Sequence, residues 1–365
     1  MKRYFSKEYV LEQIAIERCG KYDPDIIKPV LDSMFKKISF IPVRNAKILI
    51  KPNLLTARTP EQAVTTHPSV IEAIAQLFAD YSCKVHIGDS PGFGSVEHVL
   101  RTSGIMDVIR RLNLDIASFD EKITKRIQGI SPYRDFLFGE DPEQYDMIVN
   151  VPKLKTHGMM GLTLGVKNTF GFIHSFEKAK WHFRAGRDRG IFASVLIDIH
   201  TIANPTITIL DGISGMDGDG PSSGRVREFS ILAACKSAFS LDSYIEEFVR
   251  FPGSTPITQI AAGHGLVPRY EVLNHSAKPI NDLVPPNSMR TDWTMPDFVR
   301  KMFRNILVKK PRVHTGLCKS CLTCAQVCPA EALSIKDGIP VFDYARCIRC
   351  YCCQELCPHK AIFVR

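Results

Sequence analysis

The distribution of cysteine is the feature of this sequence that most limits what the chain can fold into. Nine of the twelve cysteines fall between Cys318 and Cys357, and the other three are spread over the residues before them. The N-terminus has basic residues but no apolar run behind them, so we expect no secretory signal and no oxidising compartment. Cysteines crowded in this way indicate metal binding rather than a disulfide framework.

The crowded cysteines form two copies of one motif, C-x2-C-x2-C-x3-C-P. The first copy begins at Cys318 and the second at Cys347. This spacing lets three thiolates on one tight loop reach three irons of a cubane, while the fourth cysteine of each copy ligates the other cluster. The motif therefore predicts two 4Fe-4S clusters. Their expected ligands are Cys318, Cys321, Cys324 and Cys357 for the first cluster, and Cys347, Cys350, Cys353 and Cys328 for the second.

The alternative for paired cysteines is a zinc ribbon. Zinc takes two C-x2-C pairs per ion, rather than four-cysteine runs that each end in proline, so the spacing favours iron–sulfur clusters. Cys352 is interpreted as a spare buried thiol. Residues 312–365 resemble bacterial-type two-cluster ferredoxins, and we expect a hairpin at 335–341 with Asp337 and Gly338 at its turn. Two complete motifs predict two low-potential sites that relay single electrons.

The C-terminal region is also the basic part of the chain. Residues 300–365 contain twelve Lys and Arg against four Asp and Glu, which gives +8 of the +9 net charge of the whole chain. Two clusters with their thiolates carry about −4, so the basic frame compensates them and eases their reduction. The expected partners are an electron donor or acceptor protein, of the ferredoxin or oxidoreductase type. We do not expect nucleic-acid binding, since the clusters explain much of the charge.

The rest of the chain alternates between strand and helix signals. Strands are predicted near 47–51, 83–87, 145–151, 206–210 and 229–234, and helices after Pro68 and over 191–202 and 241–251. Strands that alternate with helices imply crossover connections, which predicts an α/β fold with a mostly parallel sheet and flanking helices. The C-terminal module adds a small α+β ferredoxin-like domain. In such sheets, ligands bind beyond the carboxyl ends of the strands.

These signals divide the chain into four parts. They are an N-terminal extension over 1–45, an α/β domain over 46–274, a linker with a basic amphipathic helix over 275–311, and the two-cluster domain over 312–365. The basic stretch at 298–307 is expected to dock the cluster module onto the main domain. Nowhere do 18 apolar residues run without a charge, so we expect no membrane span and a cytoplasmic protein of undetermined oligomeric state.

Three segments of the α/β region combine glycines with charged residues near strand ends. They are Lys51-Pro52-Asn53 with residues 65–68 and 88–92, then residues 151–171, and then residues 210–221. Together they resemble the family known as domain of unknown function 362, over roughly residues 40–260. Members of that family are often fused to ferredoxin modules. The resemblance implies this architecture but brings no settled reaction with it.

The second segment is the strongest candidate for a binding site. Between residues 150 and 190 there are eight Lys and Arg against two acids. Lys153, Lys155 and Lys167 are predicted to clamp a carboxylate or phosphate through charge-assisted hydrogen bonds, although a solvated basic loop is the alternative. His157 is a candidate proton donor because it titrates near neutral pH, with Lys155 as a second catalytic candidate; a structural histidine is an equal alternative. The further candidates for substrate binding are Lys51, Asn53, Asp89, Asn168 and Asp211.

Two weaker patterns concern phosphate and metal. Asp211, Asp217 and Asp219 lie in a glycine-rich segment after a strand and are candidate Mg2+ ligands, while turn-forming aspartates are the favoured alternative. Residues 88–94 follow a strand as a phosphate loop does, but they lack the Rossmann and Walker patterns. The sequence holds no pattern for flavin, nicotinamide or radical-SAM chemistry.

Three functions are compatible with this sequence. In the first, the clusters relay electrons to an α/β domain that reduces or reductively activates an anionic small molecule, as in a ferredoxin-dependent oxidoreductase of anaerobic metabolism. In the second, the chain is a non-catalytic electron carrier or adaptor that docks a partner oxidoreductase. In the third, the chemistry is independent of redox and the clusters serve structure or regulation. We favour the first, because a fused relay without an electron-accepting site would be an odd arrangement.

Overall fold

A single large sheet organises the α/β part of the chain. The structure is a computed structural model, and it describes residues 11–273, 276–289 and 309–365. The strands up to residue 273 are β1 (Glu12–Arg18), β2 (Lys47–Pro52), β3 (Lys84–Ile87), β4 (Asp115–Ile116), β5 (Ile123–Arg126), β6 (Asp135–Phe138), β7 (Met147–Val151), β8 (Lys153–His157), β9 (Gly161–Thr163), β10 (Ile207–Asp217), β11 (Arg225–Cys235) and β12 (Tyr270–Leu273).

Helices cover both faces of this sheet. They are α1 (Pro24–Lys37), α2 (Pro68–Ala79), α3 (Val96–Thr102), α4 (Ile105–Leu112), α5 (Gly165–Asn168), α6 (Ser175–Ala185), α7 (Arg189–Ala203), α8 (Ala238–Phe248) and α9 (Pro256–Gly263). Short 3-10 turns occur at Pro60–Gln62, Pro142–Gln144, Thr169–Phe172 and Asn287–Met289. None of the described helices is both long and apolar enough to cross a membrane.

The sheet has a parallel block and an antiparallel block. Its order is β12-β1-β11-β10-β7-β2-β3-β4, with β8 paired to β10 and β9 paired to β8. The strands from β10 to β4 are all parallel, whereas β11 is antiparallel to both of its neighbours. The expected α/β class with a largely parallel sheet is therefore confirmed. The parallel block aligns the carboxyl ends of β2, β3, β7 and the middle of β10 at one edge.

Alternation along the central strands explains why both faces are covered. Ile48 and Ile50 of β2 pack into one core, while Leu49 packs into the core on the other face. Successive side chains of a strand point to opposite faces, so an unbroken apolar strand needs a helical layer on each side. Helix α2 supplies one such layer: Pro68 stands in its first turn and His67 caps it by accepting a hydrogen bond from the Ser69 N–H.

The N-terminal residues that sequence analysis set apart as an extension contribute to this sheet. Strand β1 pairs with β11 and β12. Helix α1 buries Ile27, Leu31, Met34 and Phe35 in the same core as β2 and α2. The amphipathic spacing of these four residues was available in the sequence, but the antiparallel partner of β1 lies more than two hundred residues away.

Two segments expected as loops are strands. Residues 153–163 form the β8–β9 pair, and β10 continues through Asp211 as far as Asp217. The reason is mutual: β8 pairs in parallel with the second half of β10, in a register that places Asp211 opposite Lys153 and Met216 opposite Lys155. Each segment satisfies the backbone polar groups of the other, which a glycine-rich pattern in one sequence does not reveal.

The C-terminal module is a small two-fold repeat. Its elements are β13 (Pro311–Val313), α10 (Thr323–Gln326), β14 (Leu333–Lys336), β15 (Ile339–Phe342), α11 (Cys352–Glu355) and β16 (Ile362–Val364). Left-handed backbone conformations recur at Leu322 and Tyr351, which precede the two short helices. Strands β14 and β15 form the expected hairpin, with Asp337 and Gly338 at its turn, so that prediction is confirmed.

The module packs directly onto the main domain. Tyr351 is 1% exposed and belongs to the same hydrophobic core as helix α7. The Ser222 hydroxyl donates a hydrogen bond to the carbonyl oxygen of Glu355, and Arg58 donates to that of Cys357 at 3.2 Å. These contacts hold α11 against the sheet. The basic helix expected at 298–307 lies outside the described residues.

We predict that α1 is an integral part of the main fold. Leu31→Ala should lower the free energy of unfolding by about 2–5 kcal/mol, because Leu31 is fully buried and its loss leaves a cavity. Ile26→Ala, on the exposed side of the same helix, is the matched control and should change it by less than about 1 kcal/mol. Anaerobic urea denaturation followed by circular dichroism measures both. Equal, small effects would show that α1 is an appendage.

Candidate functional site

The carboxyl edge of the parallel block gathers most of the side chains that the sequence predicted for substrate binding. Lys51 stands near the end of β2, Asp89 follows β3, Lys153 begins β8 after β7, and Asp211 lies in β10. The parallel register brings these strand ends side by side. The sequence argument for a site at this edge rested on the same topological rule.

Two buried ion pairs lie at this edge. Lys51 Nζ is 2.8 Å from Asp89 Oδ1, and Lys153 Nζ is 2.9 Å from Asp211 Oδ2. All four side chains are almost completely buried. Burial lowers the pKa of both lysines, although the carboxylates oppose this effect. A Cβ atom on Gly171 would lie 1.8 Å from Asp89 Oδ1, so only glycine permits this approach.

Tyr22 completes the second ion pair and was missed by sequence analysis. Its hydroxyl accepts a hydrogen bond from Lys153 at 2.6 Å and donates one to Asp211 at 2.9 Å. Its ring stacks on His67 with 3.6 Å between the ring centroids. Burial lowers the pKa of His67 to about 4, so this imidazole is neutral near pH 7. Tyr22 lies between β1 and α1, and no motif marked it.

A network of side-chain amides also lies at the carboxyl edge. Asn53 donates to Asn168 at 3.0 Å, and Asn168 in turn donates to Asn150 at 2.8 Å. Lys155 Nζ donates to Asn53 Oδ1 at 2.7 Å and to the Val64 carbonyl oxygen at 2.5 Å. The predicted residues Asn53, Asn168 and Lys155 are therefore brought together, and they are linked by neutral hydrogen-bond acceptors.

Three lysines near this network contact no carboxylate among the described residues. They are Lys155, Lys167 and Lys178. Lys178 donates to the carbonyl oxygens of Ser90 and Pro91, and burial lowers its pKa to about 7. Burial also lowers the pKa of Lys167 and, together with the neighbouring lysines, takes that of Lys155 well below its usual value. The site therefore holds more amines than carboxylates.

His157 and Glu355 connect this site to the module. His157 Nε2 lies 2.9 Å from Glu355 Oε1, although the N–H is not aligned for a hydrogen bond. His157 Nδ1 accepts hydrogen bonds from the Met159 and Met160 N–H groups, so its proton stands on Nε2. Burial lowers the pKa of His157, and the Glu355 carboxylate opposes this effect. For Glu355, burial is outweighed by His157 and Lys167, which hold its pKa at about 2.

Five further buried side-chain polar atoms have no hydrogen-bond partner within the described residues. Two of the five are Nδ1 of His182 and Oγ1 of Thr65, which follows the Val64 that accepts a hydrogen bond from Lys155. Burial lowers the pKa of His182 to about 3, and the charges of Glu355, Lys167 and His157 also act on it. Buried polar atoms normally find partners, so unpartnered ones near unpaired lysines mark a place for a polar ligand.

The candidate magnesium ligands do not meet. Asp211 is bound to Lys153, and Asp217 pairs with Arg225 at 2.8 Å and Arg227 at 3.2 Å. Asp219 accepts hydrogen bonds from the backbone and side chain of Asn287. In the described ranges, no three His, Cys, Asp or Glu side chains are arranged to hold one ion. The interpretation of this segment as a metal loop is wrong, because residues 211–217 continue a strand.

The glycine-rich turn after β3 does not expose its backbone amides as a phosphate loop would. The Ser90 N–H donates to the Gly171 carbonyl oxygen at 3.3 Å, and the Gly92 N–H donates to that of Leu55 at 2.8 Å. These amides hold the turn against its neighbours. Its contribution to the site is the carboxylate of Asp89 and the two carbonyl oxygens that receive Lys178.

The cysteines of the module surround two separate cavities. The first, with about 380 Å³ of free space, is lined by Cys318, Cys321, Cys324 and Cys357. The second, with about 330 Å³, is lined by Cys328, Cys347, Cys350 and Cys353. Each grouping takes three cysteines from one motif and the fourth from the other. Four thiols facing one apolar cavity are a donor set that suits a 4Fe-4S cluster.

The two halves of the module support their fourth cysteines in the same way. The Ala332 N–H donates to Cys328 Sγ at 3.3 Å, and the Ala361 N–H donates to Cys357 Sγ at 3.3 Å. Hydrogen bonds to sulfur stabilise the more negative reduced state of a cluster. Cys352 is a free, buried thiol beside this arrangement, and it lines neither cavity.

Several residues of the site carried no signal in the sequence. Glu355 is hidden between the third and fourth cysteines of the second motif, where any residue type satisfies the spacing. Lys178 and His182 lie in a basic stretch that alternatively predicts a solvated helix. Only the fold brings them to the carboxyl edge.

Two known proteins are similar to parts of this chain. A thylakoid-associated protein of Synechocystis sp. is 32% identical over 281 residues, which cover 74% of this chain and 87% of that protein. Among solved structures, the lactate racemase apoprotein from Thermoanaerobacterium thermosaccharolyticum matches with a TM-score of 0.40 and 13% identity, over 65% of this chain and 57% of that one.

Two family models match the chain. The model described as domain of unknown function (DUF362) covers residues 48–246, and the model of a 4Fe-4S dicluster domain covers residues 310–358. A ferredoxin-like domain of this type supports an iron–sulfur electron-transfer role. The chain belongs to the family described as domain of unknown function (DUF362) and ends in a 4Fe-4S dicluster domain.

Proposed function

We propose that this protein is a ferredoxin-dependent oxidoreductase whose clusters deliver electrons to an anionic small molecule at the carboxyl edge of the sheet. The observation that carries the proposal is the direct contact between that edge and the cysteine module. His157 Nε2 of β8 lies 2.9 Å from Glu355 Oε1 of α11. Electron transfer falls steeply with distance, so this contact makes the edge a suitable acceptor site.

The electron relay in this proposal consists of two 4Fe-4S clusters. The first is held by Cys318, Cys321, Cys324 and Cys357, and the second by Cys347, Cys350, Cys353 and Cys328. The four-thiol lining of each cavity supports this assignment. When bound, such clusters accept and release single electrons at low potential. We place this chemistry in the cytoplasm of an anaerobic cell, where such clusters and their thiolates persist.

The excess of amines over carboxylates supports an anionic ligand. Lys51 and Lys153 are each neutralised by a carboxylate. Lys155, Lys167 and Lys178 have no carboxylate partner among the described side chains. Placing a carboxylate or phosphate among them would replace the missing negative charge and satisfy their free N–H groups. In this assignment Lys167 binds the anion directly. Lys51, Asp89, Asn53, Asn168, Lys153 and Asp211 shape and support the site.

Lys155 is a better candidate than His157 for moving a proton to the reduced ligand. Both ring nitrogens of His157 already face protein groups. Burial and the neighbouring lysines take the pKa of the Lys155 amine well below its usual value, so this amine gives up a proton more readily than an exposed lysine does. We therefore assign His157 to positioning, at the boundary with the module, and Lys155 to proton transfer.

The second candidate function is an electron carrier or adaptor without catalysis. It is favoured by the ion pairs and the amide network, which satisfy most polar groups of the edge without any ligand. On that hypothesis the partner oxidoreductase, rather than a small molecule, takes the electrons. Redox-independent chemistry is the third candidate, and it requires turnover to survive the loss of the clusters.

We predict that anaerobically purified protein contains about eight iron and eight sulfide ions per chain. The reduced protein should show the paramagnetism of two interacting 4Fe-4S clusters, since the two cavities share helices and ligand loops. Iron and sulfide assays with electron paramagnetic resonance measure this. A content near four irons would leave one cluster, and zinc in their place would refute the relay.

We predict that Lys167→Met weakens ligand-dependent electron flow without removing the clusters. The protein is reduced with methyl viologen, and cluster reoxidation is followed while carboxylates and phosphate esters are added in turn. For a compound that accelerates reoxidation in the wild type, the variant should need about 10–100-fold more of it, because one charged hydrogen bond is lost. Lys180→Met, which removes an exposed lysine of α6, is the matched control. If no compound accelerates reoxidation, the result would favour the second candidate function, an electron carrier or adaptor without catalysis.

We predict that the Lys51–Asp89 pair supports the site rather than binding the ligand. Asp89→Asn should lower the free energy of unfolding by about 3–5 kcal/mol, because it leaves a buried amine without its carboxylate. The double variant Lys51→Met/Asp89→Leu removes both charges and should recover most of that loss. Thermal denaturation under argon compares them. A single variant as stable as the wild type would contradict a buried ion pair.

A further inference from the structure

The two cysteine sets of the module differ in their access to solvent. In the first set, Cys321 is exposed and Cys318 is half-buried. In the second set, Cys347, Cys350 and Cys353 are buried and Cys328 is half-buried, so none of the four is exposed. The first set is therefore the end of the module that another molecule can reach.

Contacts with the main domain explain why the second set is covered. Arg187 donates a hydrogen bond to the carbonyl oxygen of Cys347 at 3.1 Å. Tyr351, next to Cys350, is inserted into the core that includes α7. A Cβ atom on Gly158, just beyond β8, would come within 3.3 Å of the Tyr351 ring. The second set thus faces the carboxyl edge, and the first set faces outward.

The surface around the outward set is both apolar and basic. Leu317, Leu322 and Ile335 expose 48%, 41% and 41% of their surface. Lys319 lines the first cavity, and Lys336 is exposed at the hairpin turn, where it follows Ile335 in β14 and precedes Asp337. None of the residues that line this cavity is acidic. We call these five residues the entry face.

We propose that the entry face docks a small acidic protein that carries one electron at a time. The inference rests on the proposed presence of the two clusters. It adds the kind of partner and the direction of electron flow. An apolar centre with a basic rim matches the composition of a transient interface, and the opposite charge of the partner would speed its encounter. A second copy of this chain is a poor occupant, because +9 for the chain and about −4 for its two clusters leave each copy net positive, so two copies would meet with like charge.

The direction of electron flow follows from this placement. The reduced partner would be oxidised by one electron. A cluster held by Cys318, Cys321, Cys324 and Cys357 would accept that electron, and a cluster held by Cys347, Cys350, Cys353 and Cys328 would supply the next one-electron site, beside the carboxyl edge. No bond forms or breaks in this transfer. The docked partner is separated from the substrate site by the whole relay.

The test uses the full chain with its clusters and reduced flavodoxin, a small acidic one-electron carrier, as the probe. Anaerobic stopped-flow absorbance follows the bleaching of the clusters at several ionic strengths. The double variant Lys319→Glu/Lys336→Glu should lower the second-order rate constant about tenfold or more at low ionic strength. Raising the ionic strength should lower the rate constant of the wild type until it approaches that of the double variant.

The matched control is Arg110→Glu/Lys122→Glu, which makes the same change in net charge on exposed residues of the main domain. It should retain most of the wild-type rate. Reduced methyl viologen is a cation, so it should reduce the entry-face variant at least as fast as the wild type. This arm shows that the clusters themselves are intact.

Other outcomes overturn the inference in distinguishable ways. If the two double variants slow the reaction equally, the partner responds to net charge and the entry face is not its docking site. If neither variant changes the rate constant, or if carbodiimide cross-links flavodoxin to the main domain instead of Lys319 or Lys336, the face is wrong. A preparation without the iron–sulfur chromophore refutes the proposed function and, with it, this inference.

Discussion

The contact between strand β8 and helix α11 is the constraint on which the rest of this structure depends. Strand β8 carries Lys153, Lys155 and His157 and is held in place by its parallel pairing with β10. Helix α11 lies between two cysteines of the second motif and presents Glu355 to His157. Because both elements are rigid and buried, the cysteine module and the carboxyl edge form one continuous polar interior. A domain boundary that would ordinarily be exposed to water is instead part of the candidate site.

Electrostatics gives that interior its character. The carboxylates Asp89 and Asp211 each neutralise one lysine, and Glu355 is the remaining acid close to His157 and Lys167. Amines in such a place either lose their protons or acquire an anionic partner, since an isolated buried charge is very costly. The lowered pKa values of Lys155 and Lys167 show the tendency to lose a proton. Binding of an anion would supply the missing partner instead, so protonation and ligand binding are linked.

How much of this could be predicted from the sequence depended on the range of the interactions. The cysteine motifs and the hairpin at Asp337 are local, so spacing alone predicted them. The parallel strands β2, β7 and β10 were also predictable, because each contains a short apolar run. The strand nature of residues 153–163 was not, because their pairing partner lies more than fifty residues away in β10. A glycine-rich, basic segment looks like a loop until its partner is known.

Side chains that meet across the fold were equally hidden. Tyr22 joins Lys153 and Asp211 from a segment that carries no motif. Glu355 reaches His157 from within the cysteine pattern, where only the spacing of sulfur is visible in the sequence. The three lysines predicted as a clamp lie at one edge of the sheet, and two of the five lysines at that edge form ion pairs with carboxylates. The sequence shows which residue types are present, and the fold decides which of them remain available.

The exchange of the fourth cysteine between the two halves of the module has a consequence for its biogenesis. Cys357 lines the cavity of the first motif, and Cys328 lines the cavity of the second. Neither half of the module therefore supplies all four cysteines of its own cavity. Filling either cavity must tether the start of the module to its end. The second cluster would then be inserted into a chain whose two ends are already held together, and its insertion should be the easier of the two. Maturation of this protein would accordingly be all-or-none, with half-loaded chains rare at any moment.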